Sequence, residues 1–194
     1  MGLLWGVSAS SMVGEGGADR KHVTASTHLT TLWPMKIRVR AARPADAETI
    51  HALVTELAIY EREPNAVEAS AADYRRQLAA DPPPFECLLA EYRDDGPVAF
   101  ALFFHNYSTW QGRRGLYLED LFVRPSHRRR GIGRALFRHL AALAGERDCG
   151  RLEWKVLQWN TLAVDFYRGL EAESMAEWVP WRLSGRALTR AAGP

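Results

Sequence analysis

The sequence holds too few cysteines for a disulfide framework: there are two, Cys87 and Cys149. Cys87 lies in an apolar run and is expected to pack as a small hydrophobe, and Cys149 precedes Gly150 in a turn. Unpaired thiols predict a reducing, cytoplasmic setting. No apolar run approaches the ~20 residues of a membrane span, so none is expected. The short apolar stretch 3–7 has no preceding positive region, which argues against a signal peptide. Charge of one sign is also missing: 25 Lys and Arg stand against 23 Asp and Glu, net +2. With no helix-turn-helix, zinc or RNP pattern, a nucleic-acid partner is not expected. The six histidines are scattered and no His, Cys and carboxylate set has ligand spacing, so no metal is implied. What remains is an ordinary globular composition, 47% hydrophobic and 25% charged, sufficient for one domain with a real core. Residues 1–34 are Gly-, Ser- and Thr-rich with little periodicity, and read as a disordered leader or an over-called start. The expectation is a functional start at Met35 and a single domain over 35–190.

The strongest positive signal is a strand, a basic glycine turn and a helix in succession. Leu116 to Val123 is strand-like and closes at Arg124-Pro125. Arg128-Arg129-Arg130-Gly131-Ile132-Gly133-Arg134 follows, and a helical stretch runs from there to about Glu146. Free backbone N–H groups and the dipole at a helix start favour an anion, and glycines let a bulky phosphate come close. A nucleoside triphosphatase loop needs Gly-Lys-Ser/Thr, which is absent. A dinucleotide fingerprint needs Gly or Ala where Leu136 stands. A second segment, Asn160-Thr161-Leu162-Ala163-Val164-Asp165-Phe166-Tyr167, opens the next helix with Asn160 as its cap. Ala163 and Tyr167 then share one helix face; Phe166 reads as a core aromatic.

Coarse periodicity places a strand at 37–41 and a helix from Pro44 and Asp46 to Tyr60, with Ile50, Leu53, Val54 and Leu57 inward. Ser70 to Asp73 is a capping box for a helix to about Ala80. Strands follow at 85–92 and 98–107, then the central strand, the motif helix, a strand at 151–157, a helix at 161–170 and a last strand at 178–183. The order β-α-α-β-β-β-α-β-α-β implies an α/β sandwich on a mixed sheet flanked by helices.

The pattern (Gln/Arg)-x-x-Gly-x-(Gly/Ala) over Arg128 to Gly133, after Phe122-Val123-Arg124-Pro125, resembles the pyrophosphate-binding signature of the GCN5-related N-acetyltransferases. The Asn160 to Tyr167 segment is similar to that family's Asn-x-x-Ala-x-x-Phe-Tyr. The likeness spans about 35–185 and is nearest to the diamine (spermidine/spermine) branch. Glu56 to Glu61 resembles that branch's end of the first helix, Leu116 to Val123 its central strand, and Trp181-Arg182 its last strand. Trp110 and Gly112 precede the central strand at nearly the same distance.

The resemblance implies the acetyl-CoA-binding fold, acetyl-CoA as acyl donor and direct attack by the primary amine of a small polyamine or diamine. The alternatives are thialysine or another amino-acid or protein amine as acceptor, or a non-catalytic acyl-CoA-binding module. It also implies a homodimer. Tyr167 would protonate the leaving thiolate, and Glu119 would accept the ammonium proton through a water. Backbone groups of Leu121, Phe122 and Val123 would hold the pantetheine arm. Arg128, Arg129, Arg130, Gly131, Ile132, Gly133 and Arg134 would hold the pyrophosphate, with Asn160 and Ala163 beside the arm. Tyr60, Glu61, Trp110, Glu119 and Asp120 would receive the amine.

Strand alternation predicts that Glu119 and Asp120 face opposite sides, with an arginine ion pair as the other reading for Asp120. Two departures stand out. Glu171 occupies a position that is usually glycine in the branch. Residues 173–180 do not match the branch's substrate contacts.

Overall fold

The computed structural model describes residues 36–193. The leader and the start at Met35 lie outside them. Five strands form one sheet in chain order: β1 (Ile37–Ala41), β2 (Glu86–Tyr92), β3 (Pro97–Ser108), β4 (Arg113–Val123) and β5 (Leu152–Trp154). The first four pair antiparallel and β5 joins β4 in parallel, so the sheet is mixed. The helices are α1 (Ala47–Tyr60), α2 (Ala71–Leu78), α3 (Ile132–Glu146), α4 (Thr161–Arg168) and α5 (Gly185–Ala191).

Both sheet faces are covered, which is why β2 is apolar almost throughout rather than alternating. Leu88 and Ala90 on one face and Phe103, Leu116 and Leu118 beside them pack with Ile132, Leu136, Phe137 and Leu140 of α3. Cys87 and Leu89 point the other way, with Phe100 and Phe122, onto Ile50, Leu53 and Leu57 of α1. Burial pushes the Cys87 thiol well above its usual range, so it stays a neutral hydrophobe.

The start signals act as the sequence suggests. Asp46 accepts a bidentate pair from the Arg40 guanidinium, both at 2.8 Å, and a bond from the Arg43 N–H. Ser70 and Asp73 close the capping box of α2, and Asn160 Oδ1 accepts the Ala163 N–H at 3.3 Å to cap α4.

Two expectations are corrected. No strand forms at 178–183; these residues are irregular and exposed, Trp181 to 93%. Pro180 lacks an N–H for a ladder, and β5, at three residues instead of 151–157, offers little edge to pair with. The chain ends instead in α5, which was not foreseen.

The Glu171 departure has a structural consequence. Its φ is 60°, and around it the Glu171 N–H reaches Arg168 O at 2.9 Å while the Ala172 N–H reaches Tyr167 O at 3.2 Å. This is a Schellman ending whose left-handed position favours glycine. A side chain there costs ~1–2 kcal/mol, partly offset by the entropy of the unfolded glycine chain. Glu171→Gly should therefore raise the thermal midpoint by about 1–4 °C in a calorimetric scan. An unchanged or lower midpoint would refute this.

Candidate active site

β4 and β5 pair only over Leu116–Leu118 and Leu152–Trp154. Beyond Leu118 the two strands part, while β4 continues along β3 to Val123. The β4 edge from Glu119 to Val123 thus has no strand partner among the described residues, and a cavity of about 360 Å³ opens beside it. The start of α3, the loop after β5, the first turns of α4 and the end of α1 close its walls.

The position of the acids depends on a register shift. The β3–β4 ladder pairs Leu102 with Asp120 but Phe103 with Leu118, leaving Glu119 as an inserted residue. Such a bulge breaks alternation and re-aims the side chains. Before it, Leu116 and Leu118 face α3; after it, Phe122 faces α1. Glu119 and Asp120 both line the cavity, as the consecutive Leu121, Phe122 and Val123 do, and Glu61 joins them from the end of α1. Among the described residues no arginine pairs with Asp120. Burial, then the charges of Glu119 and Glu61, push its carboxyl up to about 6. Burial also raises the Glu61 carboxyl above its usual range.

At the other end, the loop after β4 turns with positive φ at Arg129 (61°) and Gly131 (85°), the latter capping α3. Successive N–H groups in such a turn form a concave anion seat at a helix start. Arg128, Arg129, Gly131, Ile132, Gly133 and Arg134 all line the cavity. A Cβ on Gly133 would meet the Phe166 ring at 3.6 Å, so Phe166, read from sequence as core, also forms cavity wall. Arg129 and Arg130 are exposed, whereas Arg128 is half-buried. Arg128 lies over the Tyr60 ring at 4.3 Å and donates to Val123 O at 3.0 Å. Arg130 turns away onto Tyr92 and is not among the lining residues.

Tyr167, Asn160 and Ala163 line the cavity with Leu121, Phe122 and Val123. The Tyr167 ring is packed by Trp154, Phe137 and Phe166. Burial and then the Glu61 charge push its hydroxyl up to about 12. The Tyr60 hydroxyl donates to Asn160 Oδ1 at 3.0 Å, joining α1 to the cap of α4. Trp110 does not reach the cavity; it is 88% exposed, its ring 6.5 Å from Trp178.

Sequence reasoning missed His127 and Lys155, which line the cavity, and the Glu56–Arg124 pair, which ties α1 to the end of β4 with bonds of 2.7 and 3.0 Å. Only the place of Glu56 at the start of the helix-end motif hinted at the last. An anion seat, a free strand edge and an acidic end fit acetyl-CoA as donor and an amine as acceptor. Among the described residues no group of side chains could hold a metal ion.

Comparison with known proteins agrees with this geometry. The Acetyltransferase (GNAT) family model matches residues 50–171. A thialysine N-epsilon-acetyltransferase of Bos taurus is 35% identical, over 81% of this chain and 98% of that protein. The L-ornithine N5-acetyltransferase NATA1 of Arabidopsis thaliana is 30% identical, over 78% and 86%. An integron cassette protein from the mobile metagenome of V. cholerae superposes with a TM-score of 0.69 at 26% identity, covering 82% of this chain and 99% of its own. With a parted strand pair, a glycine turn opening α3 and a family match that runs from α1 past the end of α4, this chain belongs to the Acetyltransferase (GNAT) family and is an N-acetyltransferase.

Proposed function

We propose that the protein transfers the acetyl group of acetyl-CoA to the terminal primary amine of a small basic compound carrying a second charged group. The observation that carries this reading is the polarity of one cavity: an N–H-rich basic turn at one end, and Glu61, Glu119 and Asp120 at the other. The relatives named for thialysine and L-ornithine favour an ω-amino acid as acceptor. A diamine or polyamine is the second reading, favoured by the cluster of carboxylates.

Acetyl-CoA supplies the activated thioester carbonyl. An alkyl ammonium with a pKa near ~10.4 is almost wholly protonated at neutral pH, so a base must take its proton. Glu119 and Asp120 both line the cavity, so the two share the task assigned from sequence to Glu119 alone. Asp120, titrating at about 6, is better matched to neutral pH than an ordinary carboxylate. The freed amine forms the C–N bond as the C–S bond breaks. Tyr167, a neutral phenol throughout the working range, donates its proton to the departing sulfur. The open β4 edge at Leu121, Phe122 and Val123 orients the pantetheine arm, beside Ala163 and the Asn160–Tyr60 pair. Arg129 to Arg134 seat the pyrophosphate through main-chain N–H groups. The Arg128 side chain braces Tyr60 in the cavity wall, and that of Arg130 lies outside the cavity on Tyr92. Positioning supplies most of the rate. Cys87 and Cys149 are free thiols, in keeping with a reducing cytoplasm, and the resemblance supports a homodimer.

Thiol release from acetyl-CoA across thialysine, ornithine, lysine, putrescine, spermidine, spermine, an aminoglycoside and a lysine peptide tests the reading. The expected result is highest kcat/KM for one of the first three. A higher value for spermidine or putrescine would establish the second reading; turnover of the peptide alone would refute both.

A further inference from the structure

We propose that Arg62 is a positioning residue: seated on the Trp159 indole, it straps the end of α1 to the loop before α4 and so holds Glu61 and Tyr60 in the cavity wall. The inference rests on the reading of Glu61 as a contact for the amine.

α1 ends in a Schellman motif. The Glu63 N–H reaches Ala58 O at 2.9 Å and the Arg62 N–H reaches Ile59 O at 3.1 Å. The left-handed position that such an ending requires falls on Arg62, with φ 69°. Glycine is the favoured residue there, and an arginine carries a steric penalty. At Glu171 the same penalty has no evident return, since no hydrogen bond or ion pair is made by that side chain among the described residues. At Arg62 it has one: the guanidinium carbon lies 4.5 Å from the Trp159 ring centroid. A cation over an indole face is attracted by the ring quadrupole.

Trp159 belongs to the loop between β5 and α4, and its ring also approaches Tyr60 at 6.0 Å. The next residue, Asn160, accepts the Tyr60 hydroxyl and caps the helix bearing Tyr167. Arg62, Trp159, Tyr60 and Asn160 thus form one cluster linking the segment that carries Glu61 to the helix that carries Tyr167. From Arg62 to Ser70 the chain has no helix or strand of its own; the Schellman bonds hold this turn to α1, and the Arg62–Trp159 contact ties it to the loop before α4.

The test separates the strap from the backbone at its anchor. In Arg62→Gly the left-handed position is relieved, so the melting midpoint should hold or rise. Amide exchange over 157–163 should nevertheless quicken, and the amine KM should rise about two- to fivefold with kcat little changed, as for the loss of a partly exposed cation–π contact. Arg62→Lys should restore the KM to within about twofold of the parent, since it keeps a cation over the ring. Trp159→Leu should reproduce the faster exchange and raised KM of Arg62→Gly, and in both the double variant should be no worse than the more affected single variant. Glu171→Gly, which relieves the same backbone strain at the other helix, should leave exchange over 157–163 unaltered. Unchanged exchange in Arg62→Gly, additive effects in the double variant, or faster exchange with an unchanged KM would each overturn the proposal. Glu61→Gln with an unaltered amine KM would overturn the reading of Glu61 and leave the exchange result to judge the strap by itself.

Discussion

Replacing Tyr167 by Phe is expected to lower kcat by ~10²–10⁴-fold while acetyl-CoA affinity stays within about twofold. The substitution removes one hydroxyl and keeps the ring, so the packing against Trp154, Phe137 and Phe166 persists. Affinity should survive for that reason. Turnover should not, because the lost group is the one placed to protonate the departing sulfur. A thiolate with a conjugate pKa near ~8.5 can leave unaided, so the residual rate should be measurable. Burial holds the hydroxyl at about 12, so the parent enzyme should show no loss of its acid below pH 10. Saturating both substrates and following thiol release would check this. A kcat within a few-fold of the parent would remove Tyr167 from the chemistry.

Asp120→Asn should make the protein more stable and less active. The folded-state pKa of Asp120 is raised to about 6, because burial and two neighbouring carboxylates oppose its ionisation. A carboxyl raised in this way favours the fold fully below its unfolded pKa, near ~3.9, and loses that contribution as pH rises to about 6. At pH 7.5 the ionised group therefore costs roughly 2–3 kcal/mol that asparagine would not. The variant should melt about 5–10 °C higher at pH 7.5, and the gain should vanish by pH 4. Its kcat/KM should fall, and the limb of the pH profile near 6 should disappear, since that limb reports the free enzyme's base. Equal melting midpoints at both pH values would mean that Asp120 is not held against its ionisation. A surviving limb near 6 would assign the base elsewhere. Destabilising charge is tolerated where binding a cation relieves it, which is the usual trade between stability and function.

The halves of the site were unequally legible. The turn proposed to seat the pyrophosphate is legible from Arg128 to Arg134 because it is local: a turn with positive φ followed by a helix start needs only contiguous residues of the right type. Asn160, Ala163 and Tyr167 were legible for the same reason, since a cap and one helix face are fixed by spacing. Trp110 was placed near the amine by its distance along the chain, but folding sends it to the surface beside Trp178. The arginines at 128 and 130 carry the right charge for a phosphate, yet their side chains are engaged by Tyr60 and Tyr92 from other strands and helices.

Most of the elements before β5 and their inward faces are legible in the sequence, because helical spacing at Ile50, Leu53 and Leu57, the caps at Ser70 and Asn160 and the apolar strands are set by short-range sterics and local hydrogen bonds. That Glu119 and Asp120 line one cavity is set by the tertiary structure, because the cavity opens along the β4 edge where β4 and β5 part beyond Leu118, which no local pattern shows. The tertiary structure alone also decided that the segment 178–183 stays out of the sheet, because pairing depends on how much edge a neighbour presents, and β5 presents three residues. The basicity of Asp120 belongs to the same class. A pKa is set by desolvation and by charges brought together across the fold, and Glu61 reaches Asp120 only when α1 has packed on the sheet.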